Sequence, residues 1–143
     1  MKRLADILIA FFLLLISSPI LLLTSLLVFI QDWQSPFYIS PRVGKDGRLF
    51  SMVKLRSMIV NAESQGSGLF NYENDSRVTK FGKFIRGASI DEFPQVINIL
   101  KGDMSFVGPR PPVSYELGNY KNFTGDLKRR FRVKPGVTGY AQI

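Results

Sequence analysis

From Ile7 to Ile30 the chain reads ILIAFFLLLISSPILLLTSLLVFI, twenty-four residues without a charge. As a straight helix such a run is long enough to span a ~30 Å hydrocarbon core. It leaves a little over a hundred of the 143 residues for a polar part, enough for one domain with a modest core. A domain of that size gains from leaning on a bilayer. A signal peptide fits poorly, because the run is long for an h-region and Gln31-Asp32-Trp33 offers no small-residue cleavage site.

The run is interrupted at Ser17-Ser18-Pro19. Pro19 has no N–H, so the Leu15 carbonyl loses its helical partner and the helix is pushed to bend. The hydroxyls of Ser17 and Ser18 can serve the freed backbone groups, which lets a broken helix persist in lipid. Each arm is then roughly 17 Å long at ~1.5 Å per residue, about one leaflet. Lys2 and Arg3 precede the run, and Arg42, Lys45, Arg48, Lys54 and Arg56 follow it. Positive flanks stay in the cytoplasm, and here both flanks are positive. A helix that dips in and returns satisfies both. An ordinary kinked spanning helix fits the residues alone as well.

The chain has no Cys and no His, which removes disulfides, thiolate nucleophiles, imidazole acid/base chemistry and the usual zinc sites. Any metal must be held by carboxylates and phosphates, which points to Mg²⁺. The net charge of +8 suits nucleic acid, an anionic membrane face or a phosphorylated substrate. The apolar run decides for the membrane.

Beyond the run, Pro36–Ser40 and Leu49–Val53 read as two short strands joined by Val43-Gly44-Lys45-Asp46-Gly47, with Asp-Gly as the hairpin signal. Met58–Glu63 is expected to start a helix, and Ser64–Asp75 to form a loop. Arg77, Lys80, Lys83 and Arg86 recur every three residues, opposite Phe81, Phe84 and Ile85. That is the pattern of a helix at a headgroup interface, or of any solvated amphipathic helix. Phe93, Val96, Ile97 and Leu100 form an apolar stripe on the next helix. Ser89-Ile90-Asp91-Glu92 has the form of a capping box at its start, and Gly102 stands at its stop. Pro94 confines the start to the neighbourhood of Ser89–Asp91. Asp91 and Glu92 are therefore expected at the positive end of a helix, where an ionised carboxylate is stabilised and phosphate is attracted. Gly108-Pro109-Arg110-Pro111-Pro112 is a stiff loop presenting a guanidinium, and Lys128–Arg132 is a basic cluster around Phe131.

With Ser17-Ser18-Pro19, Lys54-Leu55-Arg56-Ser57-Met58, Ser89-Ile90-Asp91-Glu92-Phe93-Pro94-Gln95, Lys101-Gly102-Asp103-Met104-Ser105, Gly108-Pro109-Arg110-Pro111 and Lys134-Pro135-Gly136-Val137-Thr138-Gly139 in order, the chain resembles the monotopic phosphoglycosyl transferases. These begin undecaprenyl-linked glycan assembly in bacteria. The likeness runs from Lys2 to the last residue, and several ordered motifs make it specific. It implies a re-entrant membrane helix over residues 1–30, kinked at Ser18-Pro19. It also implies an α+β catalytic domain over 31–143, mainly helical, with a short β-hairpin and amphipathic interface helices. Asp91 and Glu92 would be the catalytic dyad, with Asp91 attacking a UDP-sugar, UMP leaving, and a polyprenol phosphate taking the phosphosugar. Mg²⁺ would be the cofactor, with Asp91 as a ligand. Lys54, Arg86 and Arg110 would hold phosphates. The implied setting is the cytoplasmic face of the bacterial inner membrane, among membrane lipid, with no nucleic-acid partner and room for a homodimer.

The chemistry of the residues agrees, since carboxylates form acyl phosphates and phosphoryl transfer needs charge neutralisation. Leu55 replaces an aromatic more usual in its motif. The family usually continues beyond Gly139-Tyr140-Ala141-Gln142-Ile143 with an Asn-Gly-Arg stretch and further helices, so a fragment or a short member is expected. The competing expectation is a membrane-anchored basic binding module without turnover.

Overall fold

The computed structural model describes residues 1–65, 75–114 and 120–139. Most of the expected 64–75 loop, at 66–74, and the end of the chain at 140–143 lie outside the described residues. The fold is α+β: a long apolar helix followed by a β-hairpin, three short helices and a second, minimal strand pair.

Helix α1 runs Lys2–Asp32 with Pro19 inside it, and is long and apolar enough to cross a membrane. The hydroxyl of Ser18 donates to the Leu15 carbonyl at 2.8 Å, filling the acceptor that Pro19 cannot serve. Its buried residues are Asp6, Ala10, Ser17, Thr24 and Val28, one helical face running nearly its whole length. Leu8, Phe11, Phe12, Ile16, Leu22, Leu23 and Leu26 on the remaining circumference are exposed.

Residues 95–107 pack against the N-terminal half of that face, and Leu55 and Ile85 meet Val28 near its other end. Strand β1 (Phe37–Val43) pairs antiparallel with β2 (Leu49–Leu55), in register from Phe37 opposite Leu55 to Val43 opposite Leu49. Both strands extend two or more residues beyond the expected segments. Asp46 and Gly47 both have positive φ, 54° and 76°, and the Arg48 N–H donates to the Lys45 carbonyl. That is the primed turn that an Asp-Gly pair favours. The expected helix over Met58–Glu63 is instead a left-handed Asn61 followed by a 3₁₀ turn at Ala62–Ser64.

Helix α2 (Lys80–Gly87) is capped by the Thr79 hydroxyl, which accepts from the Gly82 N–H. Arg77 lies before this helix rather than on its basic side. It is buried and paired with Asp75 at 2.6 Å. A guanidinium three residues ahead of Lys80 matched the surface periodicity, yet its bonds run inward.

Helix α3 (Gln95–Lys101) begins after Pro94 and ends at Gly102, whose φ of 97° is the left-handed stop. Its buried residues are Gln95, Val96, Asn98 and Ile99, a face shifted from the expected apolar stripe. The cause is Asn98, fully buried and bonded to the neighbouring strand through both ends of its amide. Its Nδ2 donates to the Ser51 carbonyl and its Oδ1 accepts from the Val53 N–H. Strand β3 (Ser105–Val107) pairs in parallel with β4 (Gly136–Thr138), and α4 (Gly125–Arg130) lies between them in sequence. A Cβ on Gly136 would fall 2.1 Å from the Gly108 nitrogen, so only glycine permits this crossing.

Among the described residues, three apolar clusters hold the fold together. Ala10 joins Met52, Val96, Ile99 and Met104; Val28 joins Leu55 and Ile85; Val43 joins Phe123 and Phe131. The first two are each completed by α1, near opposite ends of the helix. Polar tethers reinforce both ends. Arg3 donates to the Ile99 and Leu100 carbonyls, occupying acceptors at the end of α3, and Asp6 accepts from Ser105. At the far end Asp32 accepts from both terminal guanidinium nitrogens of Arg56.

Candidate functional site

A cleft of about 790 Å³ opens between the end of β2, the Ser57–Ser64 segment, α2 and the turn that precedes α3. Lys54, Arg86, Asp91, Glu92 and Arg110 all line it. Residues from four separate sequence motifs thus meet in one place.

The carboxylates sit on a 3₁₀ turn at Ile90–Glu92. The expected capping box is not formed. Ser89 is left-handed, with φ 55°, and its side chain makes no capping bond. The chain enters α3 through successive short bonds, Glu92 N–H to Ser89 O and Phe93 N–H to Ile90 O. A 3₁₀ turn spaces adjacent side chains by about 120°, so the two carboxylates diverge more than on an α-helix. A non-glycine residue in the left-handed region costs on the order of 1 kcal/mol, and it stands immediately before the dyad.

Asp91 is 9% exposed. Burial raises its carboxyl above the ordinary value and the neighbouring Glu92 charge adds to that, while Lys54 and Arg86 pull the other way. The expectation that a helix end keeps it readily ionised is therefore reversed. Helix α3 begins four residues later, and loss of water outweighs any help from its dipole. Glu92 instead accepts from Lys54 at 2.7 Å.

The cations are placed by the fold rather than by sequence proximity. Lys54 is the penultimate residue of β2, and the bonds from Asn98 hold that strand against α3. Arg86 lies on the last turn of α2, its Nε donating to the Ser57 hydroxyl at 2.7 Å. Gly82 lets α2 approach that segment, because a Cβ there would stand 1.9 Å from the Ser57 carbonyl oxygen. Arg110 is exposed on the proline loop, whose backbone is held by Arg130 donating to the Arg110 carbonyl at 2.6 Å.

The cleft also contains residues that sequence reasoning passed over. Ser57 lies inside the Lys54–Met58 motif, and its bond from Arg86 arises only from the fold. Tyr38 sits in strand alternation, and its hydroxyl donates to Glu63 across the cleft. Asn61, Glu63 and Ser89 also line it, and nothing in their spacing marks them.

This geometry can be set beside known proteins. The family described as Bacterial sugar transferase matches residues 1–143. Galactosyl transferase CpsE of Streptococcus agalactiae serotype III (strain NEM316) is 47% identical over 123 residues, 79% of this chain and 27% of its own length. The protein named Uncharacterized sugar transferase EpsL in Bacillus subtilis (strain 168) is 43% identical over 143 residues, 100% of this chain and 68% of its own. A UDP-glucose:undecaprenyl-phosphate glucose-1-phosphate transferase of Klebsiella pneumoniae is 41% identical over 142 residues, 99% of this chain and 30% of its own. The chain thus spans less than a third of the length of two of these three relatives. The family match covers residues 1–143, and the chain belongs to the bacterial sugar transferase family.

Proposed function

We propose that this chain carries the transfer centre of a monotopic phosphoglycosyl transferase, moving a sugar-1-phosphate from a UDP-sugar to a polyprenol phosphate. The observation that carries the reading is the convergence of Asp91, Glu92, Lys54, Arg86 and Arg110 on one cleft beside the apolar helix. The names of relatives support the substrate classes, one being a UDP-glucose:undecaprenyl-phosphate glucose-1-phosphate transferase.

In this reading an Asp91 carboxylate oxygen attacks the β-phosphorus of the donor. The bond from that phosphorus to the oxygen bridging the two phosphates breaks, and UMP leaves with the electron pair. An oxygen of the lipid phosphate then attacks the same phosphorus, and the acyl phosphate bond breaks to return Asp91 as a carboxylate. Lys54, Arg86 and Arg110 neutralise the phosphates and hold them in line. Lys54 must exchange its bond to Glu92 for one to phosphate, which frees Glu92. Among the described residues no group of three carboxylates gathers, and Asp91 and Glu92 diverge on their turn, so one carboxylate, Asp91, would share Mg²⁺ with the diphosphate, an ion that commonly takes one or two carboxylates beside phosphate. When bound, that ion would neutralise charge developing on the diphosphate.

For the membrane we favour a re-entrant α1, bent at Ser18-Pro19, with the domain at the cytoplasmic face of the inner membrane. Supporting it, the domain grips Arg3 and Asp6 at one end of α1 and Val28 and Asp32 at the other. Ends of a spanning helix would lie on opposite faces of the bilayer. Cysteines placed at Lys2 and at Lys45 should be labelled from the same side of sealed vesicles. Labelling from opposite sides would exclude the re-entrant form.

Transfer itself is tested by UMP release on mixing the protein with UDP-sugars, Mg²⁺ and a polyprenol phosphate. Without lipid, mass spectrometry should find a phosphosugar on the peptide containing Asp91. Normal turnover with no such adduct would exclude the covalent route.

A further inference from the structure

One acidic group in this basic cleft has no part in the chemistry above. Glu63 stands on the 3₁₀ turn Ala62–Ser64, separate in sequence from the dyad turn, and lines the same cavity. The Tyr38 hydroxyl donates to its Oε1. Among the described residues no Lys or Arg pairs with Glu63, whereas Glu92 is paired with Lys54 and Asp32 with Arg56.

The turn is also built with unusual care for a cleft edge. The Arg77 guanidinium, buried against Asp75, donates to the carbonyls of Ala62 and Gln65 at 2.9 and 3.0 Å, bracketing Glu63. The Ile59 N–H bonds the Arg77 carbonyl and the Thr79 N–H bonds the Ser57 carbonyl. A buried ion pair whose guanidinium also clamps two carbonyls holds the backbone on either side of Glu63. Burial, with the Glu63 charge beside it, pushes the Tyr38 phenol up, so it remains an O–H donor across the neutral range.

We infer that Glu63, oriented by Tyr38, is a specificity-determining contact that accepts hydrogen bonds from hydroxyl groups of the nucleotide-sugar donor. The argument is one of charge. A carboxylate repels a diphosphate, so the phosphates belong with Lys54, Arg86 and Arg110, and what faces Glu63 is a neutral donor group. A nucleotide sugar offers two such sets, the ribose hydroxyls and those of the transferred sugar. A carboxylate holding an adjacent hydroxyl pair is an established way of reading either. Arg77 and Asp75 are positioning residues for this contact. The inference rests on the proposed donor class, not on the covalent step.

The test measures donor binding by calorimetry as well as UMP release, on the whole chain in detergent or nanodiscs. Glu63→Gln and Tyr38→Phe, each confirmed as folded by an unchanged melting transition, are compared with the unsubstituted protein using UDP-sugar, UDP, UMP and 2′-deoxy-UMP. Glu63→Gln should weaken UDP-sugar binding about ten- to a hundredfold, the scale of a lost hydrogen bond to a charged group. Tyr38→Phe should weaken it less. An equal loss for UMP, absent with 2′-deoxy-UMP, assigns the ribose. A loss confined to UDP-sugar assigns the transferred sugar, and should change the ranking of epimeric sugars. Unchanged affinity for every ligand in both folded variants overturns the inference, as does failure of the unsubstituted chain to bind any of them. Binding that responds to Glu63→Gln without any UMP release supports the contact while overturning the transfer reading, so the two fail separately.

Discussion

Two aspartates sixteen positions apart meet opposite fates in this fold. Asp75 and Asp91 are both buried and both close to arginine. Asp75 receives the Arg77 guanidinium on both oxygens, along with the Arg77 N–H. Those bonds favour the ionised form and hold the carboxyl down, to about 2. Asp91 has lost water without gaining a comparable donor: among the described residues no side chain bonds it, and Lys54 and Arg86 act on it only through space. Its carboxyl is pushed up. The same residue type is thus made inert by complete satisfaction at one position and left with unoccupied lone pairs at the other, as the nucleophile proposed above requires. A nucleophile whose lone pairs were all occupied could not attack.

Breaking the less satisfied member should have the largest effect. Asp91→Asn is expected to lower UMP release by at least about a thousandfold with the fold intact, since an amide cannot displace UMP. Residual turnover within tenfold of the unsubstituted protein would mean that Asp91 is not the nucleophile.

Breaking the inert member should act on stability instead. A carboxyl depressed on folding contributes stability above its unfolded pKa, near 4, and that contribution is lost as pH falls through about 2. Asp75→Asn should therefore lower the melting temperature at pH 7, leave Arg77 buried without its anion, and flatten the pH dependence of melting between about 4 and 2. A melting curve that still loses stability over that window with the same slope would assign the acid sensitivity elsewhere.

A third change tests how Asp91 is kept under positive influence without contact. Gly82→Ala puts a methyl against the Ser57 carbonyl and must move α2, and with it Arg86. Overpacking of this kind costs about 1–3 kcal/mol. The donor KM should rise several-fold, and activity and stability measured on one preparation should fall together.

The smallest effect sharpens the contrast most. A carboxyl raised on folding contributes stability below its unfolded pKa, and that is lost as pH rises through the folded value. At pH 7 the ionised Asp91 is then a burden on the fold. Asp91→Asn should raise the melting temperature slightly at pH 7, by an increment typical of single stabilising substitutions, about 0.5–2 kcal/mol. The gain should vanish under acid. Destabilisation at pH 7 would show that Lys54 and Arg86 stabilise Asp91 more than burial penalises it.

Local chemistry made much of this legible in the sequence. Asp46-Gly47 announced its turn, Gly102 its helix stop, and Ser18-Pro19 the hydroxyl that serves the Leu15 carbonyl, because each depends on neighbours a few residues away. Asp75–Arg77 was close in sequence yet misread, since a periodic row of cations carries no sign of which one turns inward. The β3–β4 pair was not foreseen: three-residue strands show no period, and their partners lie about thirty positions apart. Arg3 looked like a topological charge and turned out to bond the end of α3. The site divides the same way. Its five charged members stand at positions the family resemblance singles out, while Tyr38 and Glu63 meet only because a hairpin and a clamped turn bring them together.

The grip of the domain on both ends of α1 also bears on how the protein is made. Ala10 and Val28 are core residues, not merely parts of an anchor, and each completes a cluster whose other members come from much later in the chain. Removing the helix to obtain a soluble enzyme would open two apolar faces to water and strip the end of α3 of the Arg3 side chain. The domain that follows therefore cannot complete its core without this helix. If α1 enters lipid as proposed, insertion and closure of the core become a single event, and chains that miss the membrane should be left as substrates for quality control.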